Sequence, residues 1–139
     1  MKALVIGLGS MGKRRVRNLL ALGGITVYGF DTREDRRAEA RDKYGIEVLD
    51  SSDVLFEEVS PDIVVLSVPP KLHMHYANQC LDKMIPCFIE ASVTERLEIE
   101  KLARSSKEKG VVIAPSCTMR FYPGPKKIKS LLSENAIGK

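Results

Sequence analysis

The chain has 139 residues, 44% of them hydrophobic and 29% charged, which is enough to form the core of one soluble domain. Its 22 basic residues exceed its 18 acidic ones, but the two kinds are interleaved, which disfavours a nucleic-acid partner. No apolar stretch approaches the length of a membrane span, so we expect no membrane partner. Three cysteines lack metal-ligand spacing. They are Cys80, Cys87 and Cys117. Cys80 and Cys87 are predicted to be buried, reduced thiols, which favours a cytoplasmic location.

The first dozen residues read as a strand, a glycine turn and the start of a helix. A short, mostly apolar run, residues 2–6, leads directly into a G-x-G-x-x-G turn made of Gly7, Leu8, Gly9, Ser10, Met11 and Gly12. The first glycine lets the chain leave the strand sharply, the second leaves space for a pyrophosphate, and the third lets the helix pack closely. The helix N-terminus offers free N–H groups and partial positive charge to phosphates. This pattern predicts a dinucleotide site.

A second predicted strand, residues 25–30, ends at an acidic residue. Asp31 follows Gly12 by 31 − 12 = 19 residues, close to the spacing of about 20 for the acid that binds the adenosine ribose. Thr32 and Arg33 are assigned to the same site. The alternative is that Asp31 caps the next helix. The Asp31 carboxylate would repel the 2′-phosphate of NADP, whereas the Arg33 guanidinium could pair with it. We expect the carboxylate to dominate, so that NAD is preferred over NADP by at least about tenfold, or roughly 1.4 kcal/mol.

The later elements alternate between strand and helix. The predicted strands that follow are residues 46–49, 63–68, 86–89 and 111–114. The predicted helices are residues 33–44, a brief helix ending at 59, one after 70, one from about 94 to 109, and a last one starting at 123. Two helices are predicted to bury apolar stripes: His73, Ala77, Cys80, Leu81 and Met84 in one, and Ile99, Leu102 and Ala103 in the other.

This alternation is typical of an α/β protein with a doubly wound, six-stranded parallel Rossmann sheet, most simply in the order 3-2-1-4-5-6. The ligand crevice then lies where strands one and four diverge. The glycine turn is therefore expected to face the residues that follow strand four, which are Ser67, Val68, Pro69 and Pro70.

Four places in the chain together resemble the Gfo/Idh/MocA oxidoreductases. They are the glycine turn with Asp31, the Pro69-Pro70-x-x-His73-x-x-x-Ala77 segment, Glu90 at the position of the family's Glu-Lys-Pro motif, and Arg120-Phe121 with residues 137–139. The resemblance implies a nicotinamide-binding domain over residues 1–120. Residues 121–139 would form a helix leading to a C-terminal substrate domain that this sequence does not contain.

The resemblance also implies an activity. The full-length protein would be a homo-oligomer that oxidises or reduces a small substrate, a sugar, cyclitol or sugar nucleotide, held by the second domain. It places His73, Glu90 and Ala91 at the cofactor site. However, Ala91 stands where the family has a lysine, and alanine can neither donate a proton nor stabilise oxygen charge. We therefore predict that the isolated chain binds cofactor with little or no turnover, and we assign no catalytic residue and no metal ligand.

Three alternatives stay open. His73 either forms a local hydrogen bond that shapes the nicotinamide pocket or acts as a catalytic acid–base group. The chain could be a non-catalytic nucleotide-binding sensor or subunit that has lost the lysine. A methyltransferase also combines a glycine turn with an acid after strand two. The Pro69-Pro70-x-x-His73 segment, and a strand pattern without a terminal antiparallel hairpin, argue against that last reading.

Overall fold

A computed structural model describes residues 1–91 and 96–136. The strands are β1 (Lys2–Ile6), β2 (Thr26–Phe30), β3 (Glu47–Leu49), β4 (Ile63–Leu66), β5 (Cys87–Ile89) and β6 (Ile113–Pro115). The helices are α1 (Ser10–Leu22), α2 (Glu34–Tyr44), α3 (Leu55–Val59), α4 (His73–Asp82), α5 (Arg96–Lys109) and α6 (Pro123–Ser133). Two short 3₁₀ helices cover Pro70–Leu72 and Thr118–Phe121.

The six strands form one parallel sheet in the order β3-β2-β1-β4-β5-β6, so the predicted fold class and strand order are confirmed. β1 pairs with β2 on one side and with β4 on the other, so that Val5 lies opposite both Gly29 and Val65. The chain winds outwards in opposite directions from β1 and β4, which opens a crevice at their carboxyl ends.

Both faces of the sheet are covered, as the apolar strands predict. Leu4 and Ile6 of β1 point into one buried cluster, which is completed by residues of α3, α4 and α5. Val5, between them, points into a second cluster that contains Leu8 and Val16 of the turn and α1. Alternate residues of one strand thus join the two halves of the core, which holds the end of β1 rigidly.

The predicted strand bounds hold to within one residue except at β4 and β6. β4 ends at Leu66, two residues earlier than predicted, because the chain turns there into the crevice. β6 covers Ile113–Pro115 and not residues 111–114. Val111 still belongs to the turn after α5, since its N–H donates to the carbonyl of Ser106 at 3.1 Å. The apolar run therefore starts before the strand does.

The predicted helix stripes need two corrections. Met84 is 55% exposed because α4 ends at Asp82 and Met84 has a left-handed φ of 59°. In α5 only Leu102 is buried, whereas Ile99 and Ala103 are exposed, because α5 packs chiefly against α4. The predicted start of this helix near Thr94 and the closing residues 137–139 lie outside the described residues.

The cysteine prediction holds for the two apolar positions. Cys80 and Cys87 are buried free thiols, and Cys117 is exposed. A hydrogen bond with Cys87, together with burial, raises the pKa of Cys80 far above the ordinary thiol range, so this thiol stays protonated and inert.

Candidate cofactor-binding site

A cavity of about 150 Å³ opens at the carboxyl edge of the sheet between β1 and β4. It brings together six of the residues assigned from the sequence: Gly7, Asp31, Thr32, Ser67, Val68 and Pro69. Ile6, Phe30, Arg36, Leu72 and Tyr76 complete its lining. The predicted meeting of the glycine turn with the segment after β4 is thus present in the fold.

Two glycines of the turn are required by the fold itself. Gly7 has a φ of 94°, and a Cβ there would lie 2.5 Å from the carbonyl oxygen of Ser67. A Cβ on Gly12 would overlap the carbonyl oxygen of Gly7. The sharp exit from β1 and the close approach of α1, predicted for these two positions, are both confirmed.

Gly9 differs because the space beside it is open. A Cβ there would have the guanidinium of Arg36 as its nearest neighbour, at 3.6 Å. Gly9 is also the N-cap of α1 and supplies no side-chain cap. The first-turn N–H groups of an α-helix have no intrahelical acceptor, so those of Ser10 and Met11 remain available to a phosphate. This end of α1 fits a pyrophosphate that approaches over Gly9.

Asp31 ties the glycine turn to the start of α2. It is only 6% exposed, and its Oδ2 accepts the Leu8 N–H at 2.8 Å and Arg36 Nη1 at 3.2 Å. Its Oδ1 accepts the Arg33 N–H at 3.0 Å. The N-cap of α2 is Arg33, which has no side-chain cap, so Asp31 shapes the turn before the helix. The carboxylate also lines the cavity, where ribose hydroxyls could reach it.

The arginines after Asp31 are not all exposed to solvent. Arg37 has only 12% of its side chain exposed and donates to the Asp31 carbonyl at 2.7 Å. Arg33 points away and pairs with Asp35 at 3.0 Å. That hydrogen bond lowers the pKa of Asp35 and raises the pKa of Arg33. Arg33 therefore does not line the cavity.

The opposite wall contains a buried polar atom without a protein partner. Ser67 Oγ is buried and has no hydrogen-bond partner among the described residues, yet Ser67 lines the cavity. Such an atom is costly unless water or a ligand satisfies it. Behind this wall His73 is 1% exposed, with Nε2 2.9 Å from the carbonyl oxygen of Val68. The local hydrogen bond expected for His73 is therefore present. Burial, and secondarily the charge of Asp31, raises the pKa of Tyr76.

Glu90 and Ala91 lie outside the cavity. Glu90 forms an ion pair with Arg15 of α1, whose guanidinium also lies 5.0 Å from the centre of the Phe88 ring. Ala91 lines a separate cavity formed with residues 116–120, in which Arg120 is the charged side chain. Seven further predicted site residues do not line this cavity either: Leu8, Gly9, Ser10, Met11, Gly12, Pro70 and His73. Leu8 still donates its N–H to Asp31, and His73 is hydrogen-bonded to the carbonyl of Val68 behind the cavity wall.

Sequence reasoning did not assign Arg36, Leu72, Tyr76 or Arg15. A helix starting at Glu34 brings Arg36 back over the end of β2. Leu72, which ends the 3₁₀ helix before α4, and Tyr76 of α4 are four residues apart and both line the cavity. Counting helical turns from the predicted starts of α2 and α4 could therefore have placed Arg36 and Tyr76 at the site. In the described ranges no helix is long and apolar enough to cross a membrane, and no acidic, histidine and cysteine side chains cluster as a metal site.

The fold and this site define a dinucleotide-binding α/β domain. A sequence model described as "Oxidoreductase family, NAD-binding Rossmann fold" (Gfo/Idh/MocA) matches residues 1–116. The chain belongs to this family, and the resemblance drawn from its motifs is confirmed.

Similar proteins include the myo-inositol 2-dehydrogenase of Thermotoga maritima, which is 27% identical over an alignment of 142 positions. The alignment covers 100% of this chain and 42% of the relative. The structure of myo-inositol 2-dehydrogenase from Lactobacillus plantarum matches with a TM-score of 0.88 at 18% identity, over 100% of this chain and 42% of that one. KijD10, a 3-ketoreductase from Actinomadura kijaniata in complex with NADP and TDP-benzene, matches with a TM-score of 0.87 at 22% identity, over 100% and 44%. The chain therefore spans less than half the length of these relatives.

Proposed function

We propose that this chain is the cofactor-binding part of an NAD-dependent oxidoreductase that acts on a hydroxyl or carbonyl group of a sugar, cyclitol or sugar nucleotide. The observation that carries the proposal is the cavity between β1 and β4, which Gly7, the buried Asp31 and Arg36 line, with the open side of Gly9 3.6 Å from the Arg36 guanidinium. The substrate class is supported by the inositol dehydrogenases and by the 3-ketoreductase that the chain is similar to.

Each part of the site has a separate task in this function. The first turn of α1 beside Gly9 binds the pyrophosphate through backbone N–H groups. Asp31 accepts hydrogen bonds from the ribose hydroxyls. Ser67 Oγ, unpaired among the described residues, gains a partner on the cofactor, and Val68 and Pro69 keep water from that side. Bound NAD supplies the hydride acceptor, while these residues bind and orient it.

Glu90 and Ala91 offer no group for proton transfer or for stabilising oxygen charge. Ala91 has no ionisable group, and the carboxylate of Glu90 is engaged by Arg15. An ammonium at this position would stabilise developing oxygen charge. We therefore expect the 139-residue chain to bind NAD and to show no steady-state reduction of NAD with polyols.

Ala91 also favours a second function, a nucleotide-binding module without catalysis. The two functions differ in the behaviour of the full-length gene product that contains this chain. Reduction of NAD by that protein with an inositol or a nucleotide sugar supports the oxidoreductase. NAD binding without turnover of any such substrate supports the module.

Calorimetric titration of the chain with NAD⁺ tests the site directly. Gly9→Val places a branched side chain where the pyrophosphate approaches, so we expect NAD⁺ affinity to fall at least about 50-fold, or roughly 2.3 kcal/mol. Gly124→Val is the matched control, because Gly124 lies in α6 with no heavy atom within 4 Å of an added Cβ. Unchanged affinity in a folded Gly9→Val variant contradicts the proposal.

A further inference from the structure

Three arginines follow Asp31 within six residues, and their surroundings differ. The Arg33 guanidinium is bound to Asp35 and its side chain is 59% exposed. Arg37 is held against the Asp31 carbonyl and the carboxylate of Glu34, with 12% of its side chain exposed. Arg36 is 38% exposed and lines the cavity. Of the three, Arg36 is the one that faces the space a cofactor takes.

The guanidinium of Arg36 lies between Asp31, which is assigned to the adenosine ribose, and Gly9, which is assigned to the pyrophosphate. Its Nη1 is 3.2 Å from Asp31 Oδ2 and 3.6 Å from the position of a Cβ on Gly9. The same Oδ2 also accepts the Leu8 N–H, so Arg36 shares an oxygen that the glycine turn already holds. Asp31 can keep the turn in place through that bond when Arg36 moves.

This placement changes the electrostatics at the end of β2. A carboxylate alone would repel a 2′-phosphate, which carries between one and two negative charges. With Arg36 against Asp31 the local charge is balanced, and a guanidinium with several donors is available on the cavity side. A ribose 2′-hydroxyl needs only the carboxylate, whereas a 2′-phosphate needs the guanidinium.

We propose that Arg36 is the residue that sets how well this chain accepts NADP relative to NAD, by pairing with the 2′-phosphate of NADP while contributing little to NAD. The inference rests on the proposed cofactor site. It replaces Arg33, which the sequence had suggested for this task, with the arginine that contacts Asp31. The chain still binds NAD more tightly than NADP, but Arg36 makes the difference in affinity smaller than Asp31 alone would make it.

The test is calorimetric titration of wild type and variants with NAD⁺, NADP⁺, 5′-AMP and adenosine 2′,5′-bisphosphate. Arg36→Ala is expected to weaken NADP⁺ and the bisphosphate at least about tenfold while changing NAD⁺ and 5′-AMP by less than about threefold. Arg36→Lys, which keeps the charge but loses the planar fork, is expected to fall between. Arg33→Ala, the matched control, should change all four by less than about twofold. Asp31→Ser should narrow the gap between the two cofactors.

Two results overturn the inference while leaving the cofactor site intact. If Arg36→Ala weakens the binding of NAD⁺ and NADP⁺ equally, the guanidinium contacts the pyrophosphate that both cofactors share. If it weakens the binding of neither cofactor, the guanidinium lies in solvent. Binding of neither cofactor by the wild-type chain instead overturns the proposed function. Far-UV circular dichroism and thermal unfolding of each variant separate a lost contact from a lost fold.

Discussion

The two ends of the described chain use their apolar residues differently. In the N-terminal region, residues 2–49, Leu4, Val5 and Leu8 are completely buried. In the C-terminal region, residues 96–136, Ile128 and Leu132 are 53% and 48% exposed. Both regions have apolar residues at the spacing that their secondary structure requires, so spacing alone does not explain the difference.

The difference comes from what each region packs against. β1 pairs with strands on both sides, and its side chains enter clusters on both faces of the sheet. α5 packs chiefly against α4, and α6 packs chiefly against the 3₁₀ helix that precedes it. An amphipathic helix buries its apolar face only where another surface meets it. The contrast predicts that substitutions are costly in the first region and cheap in the second.

The largest expected effect is at Gly12. An added Cβ would overlap the backbone oxygen of Gly7, which cannot move without breaking the exit from β1. We expect Gly12→Ala to lower the free energy of unfolding by about 3 kcal/mol or more, measured by urea denaturation. Gly9→Ala is the control, since its nearest neighbour is the movable Arg36 at 3.6 Å, and it should cost less than about 1 kcal/mol. Equal stability of the two variants would contradict the packing described for the turn.

An equal or smaller effect is expected from truncating leucines in the two regions. Leu4→Ala removes a completely buried side chain and should cost about 2–5 kcal/mol in the free energy of unfolding. Leu132→Ala removes a side chain that is 48% exposed and should cost less than about 0.5 kcal/mol. Similar losses for both variants in chemical denaturation would show that α6 is buried in solution.

The smallest effect is a dependence of stability on pH in α2. The hydrogen bond from Lys13 lowers the pKa of the exposed Glu39, so its stabilising contribution is present above the ordinary carboxyl range and is lost as the pH falls through the lowered pKa. Lys13→Met should therefore lower the Tm at pH 7 by less than about 2 °C, and by less still near pH 3. Arg96→Met, which removes an 89% exposed guanidinium from α5, should leave the Tm unchanged at both pH values. A loss of Tm in Lys13→Met that grows towards low pH would contradict this assignment.

The sequence alone determined the strand order and the place of the candidate site. Apolar runs separated by helix-length segments give a parallel sheet, and right-handed connections leave few topologies. The G-x-G-x-x-G turn, the acid 19 residues later and the segment after β4 then meet at one edge because parallel strands end on the same side. The packing roles of Gly7 and Gly12 followed as well, because each depends on backbone geometry at the end of one strand.

Tertiary structure decided which side chains occupy that edge. Arg33 and Arg36 are alike in sequence, but only a helix that starts at Glu34 turns Arg36 towards Asp31 and leaves Arg33 with Asp35. The pairing of Arg15 with Glu90 joins residues 75 positions apart. Such contacts depend on how helices pack on the sheet, and the local spacing of residues in the sequence does not determine that packing. The exposure of Ile128 in α6 follows for the same reason, because periodicity marks an apolar face but not the surface that covers it.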